Sequence, residues 1–126
     1  MKVKGLSWVG VGTDDYGRAL RFFTEVLGLE VAVSGDRQAI LHVGEGGQQL
    51  EIFGRDGPGK ALNTPPTVAF EVEDVAAARD ELIAAGVELI GEVGRWNGFE
   101  WQYFRSPDGH VFEVKKSPPP GWEKEG

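Results

Sequence analysis

Apolar positions follow two rhythms along the chain, alternation and a three-to-four-residue spacing, and the same succession of rhythms occurs twice. From Lys4 to Thr13, valines and glycines with one tryptophan read as a strand. Thr13, Asp14 and Asp15 offer helix caps. Behind them Ala19, Leu20, Phe22, Phe23, Val26 and Leu27 form the stripe of an amphipathic helix, with Phe22 and Phe23 facing the core and Gly28 as its terminator. Strands are predicted over 29–34, 38–43 and 48–53, separated by turn chemistry at Gly35-Asp36 and Gly44-Glu45-Gly46-Gly47. Residues 55–65, with Gly, Pro and Asn and few apolar positions, read as a linker. The rhythm then restarts. A strand over 67–72 leads to a helix capped by Asp74 and ended at Gly86, and strands follow near 87–93, 99–105 and 111–115. The tail from Ser117 carries three consecutive prolines and cannot join a sheet, so it is expected on the surface, tacked down by Trp122.

Offsets test the repeat. Asp15 and Ala19 match Asp74 and Ala78 at 59 residues, and Gly28-Leu29-Glu30-Val31 matches Gly86-Val87-Glu88-Leu89 at 58. Glu51 in Leu50-Glu51-Ile52 matches Glu113 in Phe112-Glu113-Val114 at 62. A tandem pair of βαβββ modules accounts for this. The expected organisation is one domain, with modules over about 3–54 and 66–116, a linker at 55–65 and a tail at 117–126.

Composition narrows the chemistry. The 126 residues contain no cysteine, which removes disulfides, thiolate nucleophiles and Cys-ligated metal centres. Thirteen Lys and Arg against 20 Asp and Glu leave a net charge of −7 with no basic stripe, which argues against nucleic acid. No apolar run reaches the length of a membrane helix, and a cytoplasmic protein is expected. Gly10-Val11-Gly12 lacks the third glycine of a dinucleotide fingerprint, and no serine sits in a nucleophile elbow.

Four passages, in order, resemble the vicinal oxygen chelate superfamily of glyoxalases, bleomycin-resistance proteins and extradiol dioxygenases. They are Trp8-Val9-Gly10-Val11 before Asp15, Ala19 to Phe23 leading to Val26-Leu27-Gly28, Val68 to Val72 before Asp74, and Ser106-Pro107-Asp108-Gly109-His110 before Val111-Phe112-Glu113. The likeness spans nearly the whole chain. It implies an α+β fold in which the two βαβββ modules form a curled mixed sheet, a half barrel with its helices outside.

The resemblance also implies four ligand positions in metal-using members, two for nitrogen donors and two for carboxylates. Here they fall on Trp8, Glu51, Thr67 and Glu113. An indole N–H donates but does not coordinate, and a threonine hydroxyl is a poor ligand for a transition metal. No metal or other cofactor is therefore expected. The alternative is a divalent metal held by non-standard ligands, with His42 supplying a nitrogen.

Strand alternation places Trp8, Gly10 and Gly12 opposite the helix-facing Val9 and Val11, and turns His42, Thr67, Glu113 and Lys115 to the same concave side. Trp101, Tyr103 and Arg105 share a face assigned to the cleft, because Phe104 suits the helix side. Glu51 and Glu113 are candidate general bases or a site for cationic ligands, with Arg105 or Lys115 as internal counter-charges. Trp8, His42, Thr67, Trp101, Tyr103 and Arg105 are candidate ligand contacts. The function implied is binding of a small organic molecule by a homodimer, similar to the bleomycin-resistance type. Two enzymatic alternatives stand beside it: a metal-dependent lyase, isomerase or dioxygenase, and a metal-free isomerase or lyase using Glu51 or Glu113 as base.

Overall fold

The computed structural model describes residues 1–124; the expected tail also included Glu125 and Gly126, which lie outside the described residues. Two compact units divide the chain, Trp8–Thr67 and Met1–Ser7 together with the chain from Val68 onward. Apart from the first residues of the opening strand and Thr67, each holds one βαβββ module, and the architecture is α+β.

The first module runs β1 (Gly5–Gly12), α1 (Tyr16–Arg21), β2 (Glu30–Ser34), β3 (Gln38–Val43) and β4 (Gln48–Phe53). Its strand order is β2-β3-β4-β1. Both hairpins are antiparallel and β1 joins β4 in parallel, as a strand reached through a helical crossover must. The core lies on the helix side, where Ala39, Leu41 and Ile52 are buried against Ala19, Leu20, Phe23, Leu29 and Leu50. Alternation leaves Gln38, Ile40 and His42 of β3 on the opposite face with Gln49, Glu51 and Phe53 of β4.

One expectation is corrected here, the run of the first helix. The Asp15 side chain caps α1 by accepting from the Arg18 N–H at 3.1 Å, but α-geometry ends at Arg21 and a π-helical turn, Phe22–Val26, follows. Such a turn takes in an extra residue and rotates the stripe away from its 3.6-residue register. Phe23 stays packed on the core while Phe22, expected there too, is 48% exposed, as are Val26 and Leu27 in large part. The linker, for its part, folds into a helical turn, α2 (Pro58–Leu62), started by a proline whose fixed φ suits the first helical position. It packs closely: a Cβ on Gly59 would lie 2.5 Å from the Phe53 ring.

The second module contains β5 (Thr67–Glu71), α3 (Val75–Ala84), β6 (Leu89–Trp96), β7 (Phe99–Arg105) and β8 (Val111–Lys116), in the order β5-β8-β7-β6. The Asp74 carboxylate accepts from the Ala77 N–H at 3.0 Å and fixes the start of α3. Val75, Ala78 and Leu82 of that helix bury against Val72 and Val114, with Leu89, Val93 and Phe104 around them. Each fully buried Val or Leu side chain in such a cluster stabilises by about 1.5–3 kcal/mol. Over 117–124 the tail is anchored to the module. The Ser117 N–H and hydroxyl both donate to the Glu71 carboxylate at 2.9 Å, and Trp122 is buried. No described helix is long and apolar enough to cross a membrane.

Candidate functional site

In the first module the face away from the helix carries a closed polar group. Trp8 is buried on β1, and its indole N–H donates to Glu51 Oε1 at 3.0 Å. Gln38 Nε2 donates to the other carboxylate oxygen, Oε2. Both oxygens of this buried carboxylate thus accept an N–H. The face needs glycine beside the indole, because a Cβ on Gly10 would come within 2.3 Å of the Trp8 ring and 2.2 Å of Asn63 Oδ1. Phe53 meets the indole edge-on at 6.1 Å between ring centres. His42 shares this face but stands opposite Gln49 in the ladder, whereas Ile40 stands opposite Glu51. The Thr67 hydroxyl donates to the Leu62 carbonyl at 2.8 Å.

In the second module β7 and β8 pair Tyr103 with Glu113, Trp101 with Lys115 and Arg105 with Val111. The partners of each pair point to one side of the sheet, and the intervening Gln102, Phe104 and Val114 point to the helix side. Glu113 is 1% exposed and Lys115 5%. The Lys115 ammonium lies 5.0 Å from the Phe99 ring centre and 5.8 Å from that of Trp101, within cation–π range. One face therefore holds a carboxylic acid, an amine, a phenol and two aromatic rings.

Arg105 lies on that same side of β7, and its guanidinium is engaged locally. Its Nε pairs with Glu88 at 3.1 Å and its Nη1 donates to the Gly109 carbonyl at 2.9 Å, bracing the Pro107-Asp108-Gly109 turn. Lys115 also shares that face with Glu113.

Sequence reasoning passed over Gln38, although alternation back from His42 and the short β3–β4 turn would have placed it near Glu51. It also passed over Gln102, a wholly buried amide on the helix side that donates to the Ile90 and Gly91 carbonyls at 3.2 and 3.0 Å and accepts from Arg79 Nε at 3.2 Å. Those carbonyls sit where the β6–β7 register shifts, so Gln102 pins a bulge. A separate polar cleft of about 590 Å³ opens beside α1, lined by Asp14, Tyr16, Arg37 and Asp56 among others, and contains none of the candidate residues.

A divalent transition metal does not fit these residues. At the two positions where nitrogen ligands were expected stand an indole that already donates to Glu51 and a hydroxyl that donates to a backbone carbonyl. Among the described residues, no three His, Asp or Glu side chains are grouped as a metal would require.

A family model described as the Glyoxalase/Bleomycin resistance protein/Dioxygenase superfamily matches residues 5–114. The uncharacterised protein YetH of Bacillus subtilis (strain 168) is 26% identical over 119 residues, covering 90% of this chain and 99% of the relative. Among solved structures, methylmalonyl-CoA epimerase from Mycobacterium tuberculosis superposes with a TM-score of 0.76 at 21% identity, covering 93% of this chain and 90% of the other. A glyoxalase/bleomycin resistance protein/dioxygenase superfamily member from Vibrio splendidus 12B01 gives 0.62 at 20% identity, covering 89% and 99%. With the family model spanning most of its length and both βαβββ modules in place, the chain belongs to the glyoxalase/bleomycin resistance protein/dioxygenase superfamily.

Proposed function

We propose that the sheet face opposite the helix, which carries Glu51 in the first module and Glu113 in the second, is in each module a surface for a small organic molecule bound without an essential metal. The observation that carries this reading is the Trp8–Glu51 hydrogen bond. It places a donor against a carboxylate that metal-using relatives of this fold would turn to a cation, and the Gln38 amide takes the second oxygen. The recognition chemistry we assign is, in the first unit, aromatic surface at Trp8 with His42 and Thr67 as polar contacts and, in the second, aromatic surface at Trp101 and Tyr103. The expected preference for cations loses its footing, since Glu51 is already satisfied by N–H donors and Glu113 shares its face with Lys115. The working form is a homodimer in the cytoplasm; Phe22, Val26, Leu27 and Val31 expose apolar surface of the kind a second copy covers.

A thermal-shift screen of cationic, neutral and anionic aromatics, run with and without chelator, tests the proposal. Stabilisation that survives chelator and weakens in Glu113→Gln and Trp8→Ala supports it. Stabilisation that appears only with added metal overturns it.

A second reading is favoured by the burial of Glu113 beside Tyr103 and Lys115: metal-free proton transfer with Glu113 as base. Methylmalonyl-CoA epimerase is a structural neighbour, so methylmalonyl-CoA in D2O is the substrate to try. Deuterium wash-in at the carbon between the carbonyls, lost in Glu113→Gln, is the result expected of that reading; absence of wash-in removes it.

A further inference from the structure

We propose that residues 117–124 form a releasable strap, with the Trp122 ring occupying a site for a planar aromatic group on the Glu113 face of the second module. Phe99 is the floor of that site. It belongs to the same side of β7 as Trp101 and Tyr103, and Lys115 reaches both Phe99 and Trp101 from β8. Trp122, only 9% exposed, meets Phe99 edge-on at 4.8 Å and 82°. It meets Trp96 edge-on at 5.6 Å, while Trp96 and Phe99 stack on each other at 14°. A flat ring is thus held by two flat rings at the end of the face that carries the candidate ligand contacts.

The attachment of the strap suits release. Its root is polar, at Ser117, whose N–H and hydroxyl grip the Glu71 carboxylate. Pro118, Pro119 and Pro120 follow, and prolines have no N–H with which to join a sheet. Their fixed φ makes the segment a stiff arm, and its far end is held by Trp122. The first module ends in a similar way: at the 62-residue offset that relates Glu51 to Glu113, Pro58-Gly59, which opens α2, corresponds to Pro120-Gly121, which precedes a helical turn at Trp122–Lys124. In both modules the turn after the last strand packs on an aromatic ring, Phe53 or Phe99.

The inference rests on the reading that this face takes a small molecule, and the two fail by different signs. The screen above fails when no compound stabilises the chain; the strap fails on the behaviour of one probe. That probe is indole, the ring of Trp122 itself. A strap closed nine-tenths of the time weakens an entering ligand about tenfold. Trp122→Ala in the full chain is therefore expected to bind indole about tenfold more tightly by calorimetry, with Glu71→Gln intermediate and Trp122→Phe close to the unmodified protein. In the unmodified protein, saturating indole should speed hydrogen exchange at the Ser117 and Lys124 amides, which are held by Glu71 and the Gly121 carbonyl, while the β7 and β8 amides stay protected. Exchange at those two amides unchanged by indole, no indole binding at all, or equal affinity in the unmodified protein and Trp122→Ala would each overturn the proposal. The exchange result decides the matter even where Trp122→Ala does not fold.

Discussion

The indole of Trp8 and the carboxylate of Glu51 meet because β1 and β4 run in parallel with Trp8 opposite Gln49 and Gly10 opposite Glu51, which brings the two side chains to one face. Trp8→Phe keeps one aromatic ring but deletes the N–H donor and the five-membered ring that carries it, leaving a buried carboxylate oxygen short of a hydrogen bond beside a small cavity. A loss of about 1–3 kcal/mol in urea unfolding is expected, whereas Gln38→Ala, at an exposed residue, costs about 0.5–1.5 kcal/mol. Equal small losses would mean that the bond carries no weight. Tyr16 gives a pH signature. Burial, and then the charge of Asp36, raise its phenol above the ordinary value of 10.0, and its hydroxyl donates to the Gly35 carbonyl at 3.1 Å. The folded chain therefore holds this proton more tightly than the unfolded chain. The contribution is complete below pH 10 and fades as pH rises through the higher folded value. Unfolding midpoints of the unmodified chain should fall more between about pH 8 and pH 11 than those of Tyr16→Phe; parallel falls would contradict the assignment. Alternation and offset made Trp8, Glu51, His42 and Glu113 legible by face. The partners of each were not, because a hydrogen bond depends on register and rotamer as well as on face.

At the scale of elements, strands β3, β4 and β7 begin and end where the alternation predicts, since tight glycine turns punctuate them. Helix α3 follows from its Asp74 cap for the same reason. Two misses share a cause. The π-helical turn at Phe22–Val26 and the bulge between Ile90 and Gly94 each break the period on which a pattern reading depends. Gln102 is the device that holds the second break. Gln102→Leu removes the donor to the Ile90 and Gly91 carbonyls and the acceptor for Arg79, so a loss of about 1–3 kcal/mol is expected, with faster hydrogen exchange confined to residues 89–96. A loss spread evenly over the module would show that Gln102 supports the core at large rather than the bulge. The α2 turn escaped notice because five helical residues present no repeating stripe, and only Pro58 marked its start.

For the whole molecule, the tandem repeat was the most legible feature, since it needs only matching residues at near-constant offsets. It led to the family, and the family model spans both modules. Assembly follows from surface rather than pattern. The π-helical turn that moves Phe22, Val26 and Leu27 off the core leaves them exposed, and the proposed homodimer would cover them. Light scattering at micromolar concentration is expected to give twice the 13.7 kDa chain mass, and Val26→Glu to shift it toward the monomer; a monomer mass for the unmodified chain would contradict this. The metal question turns on the same molecule-wide comparison of positions, for a fold that serves metal chemistry elsewhere here sets an indole donor and a hydroxyl where nitrogen ligands would stand. Elemental analysis of protein purified without chelator tests this most directly. The account predicts zinc, nickel, manganese, iron and cobalt each far below one atom per chain, with a melting temperature unmoved by chelator; close to one atom of any of them per chain, lost together with stability on chelation, would contradict it.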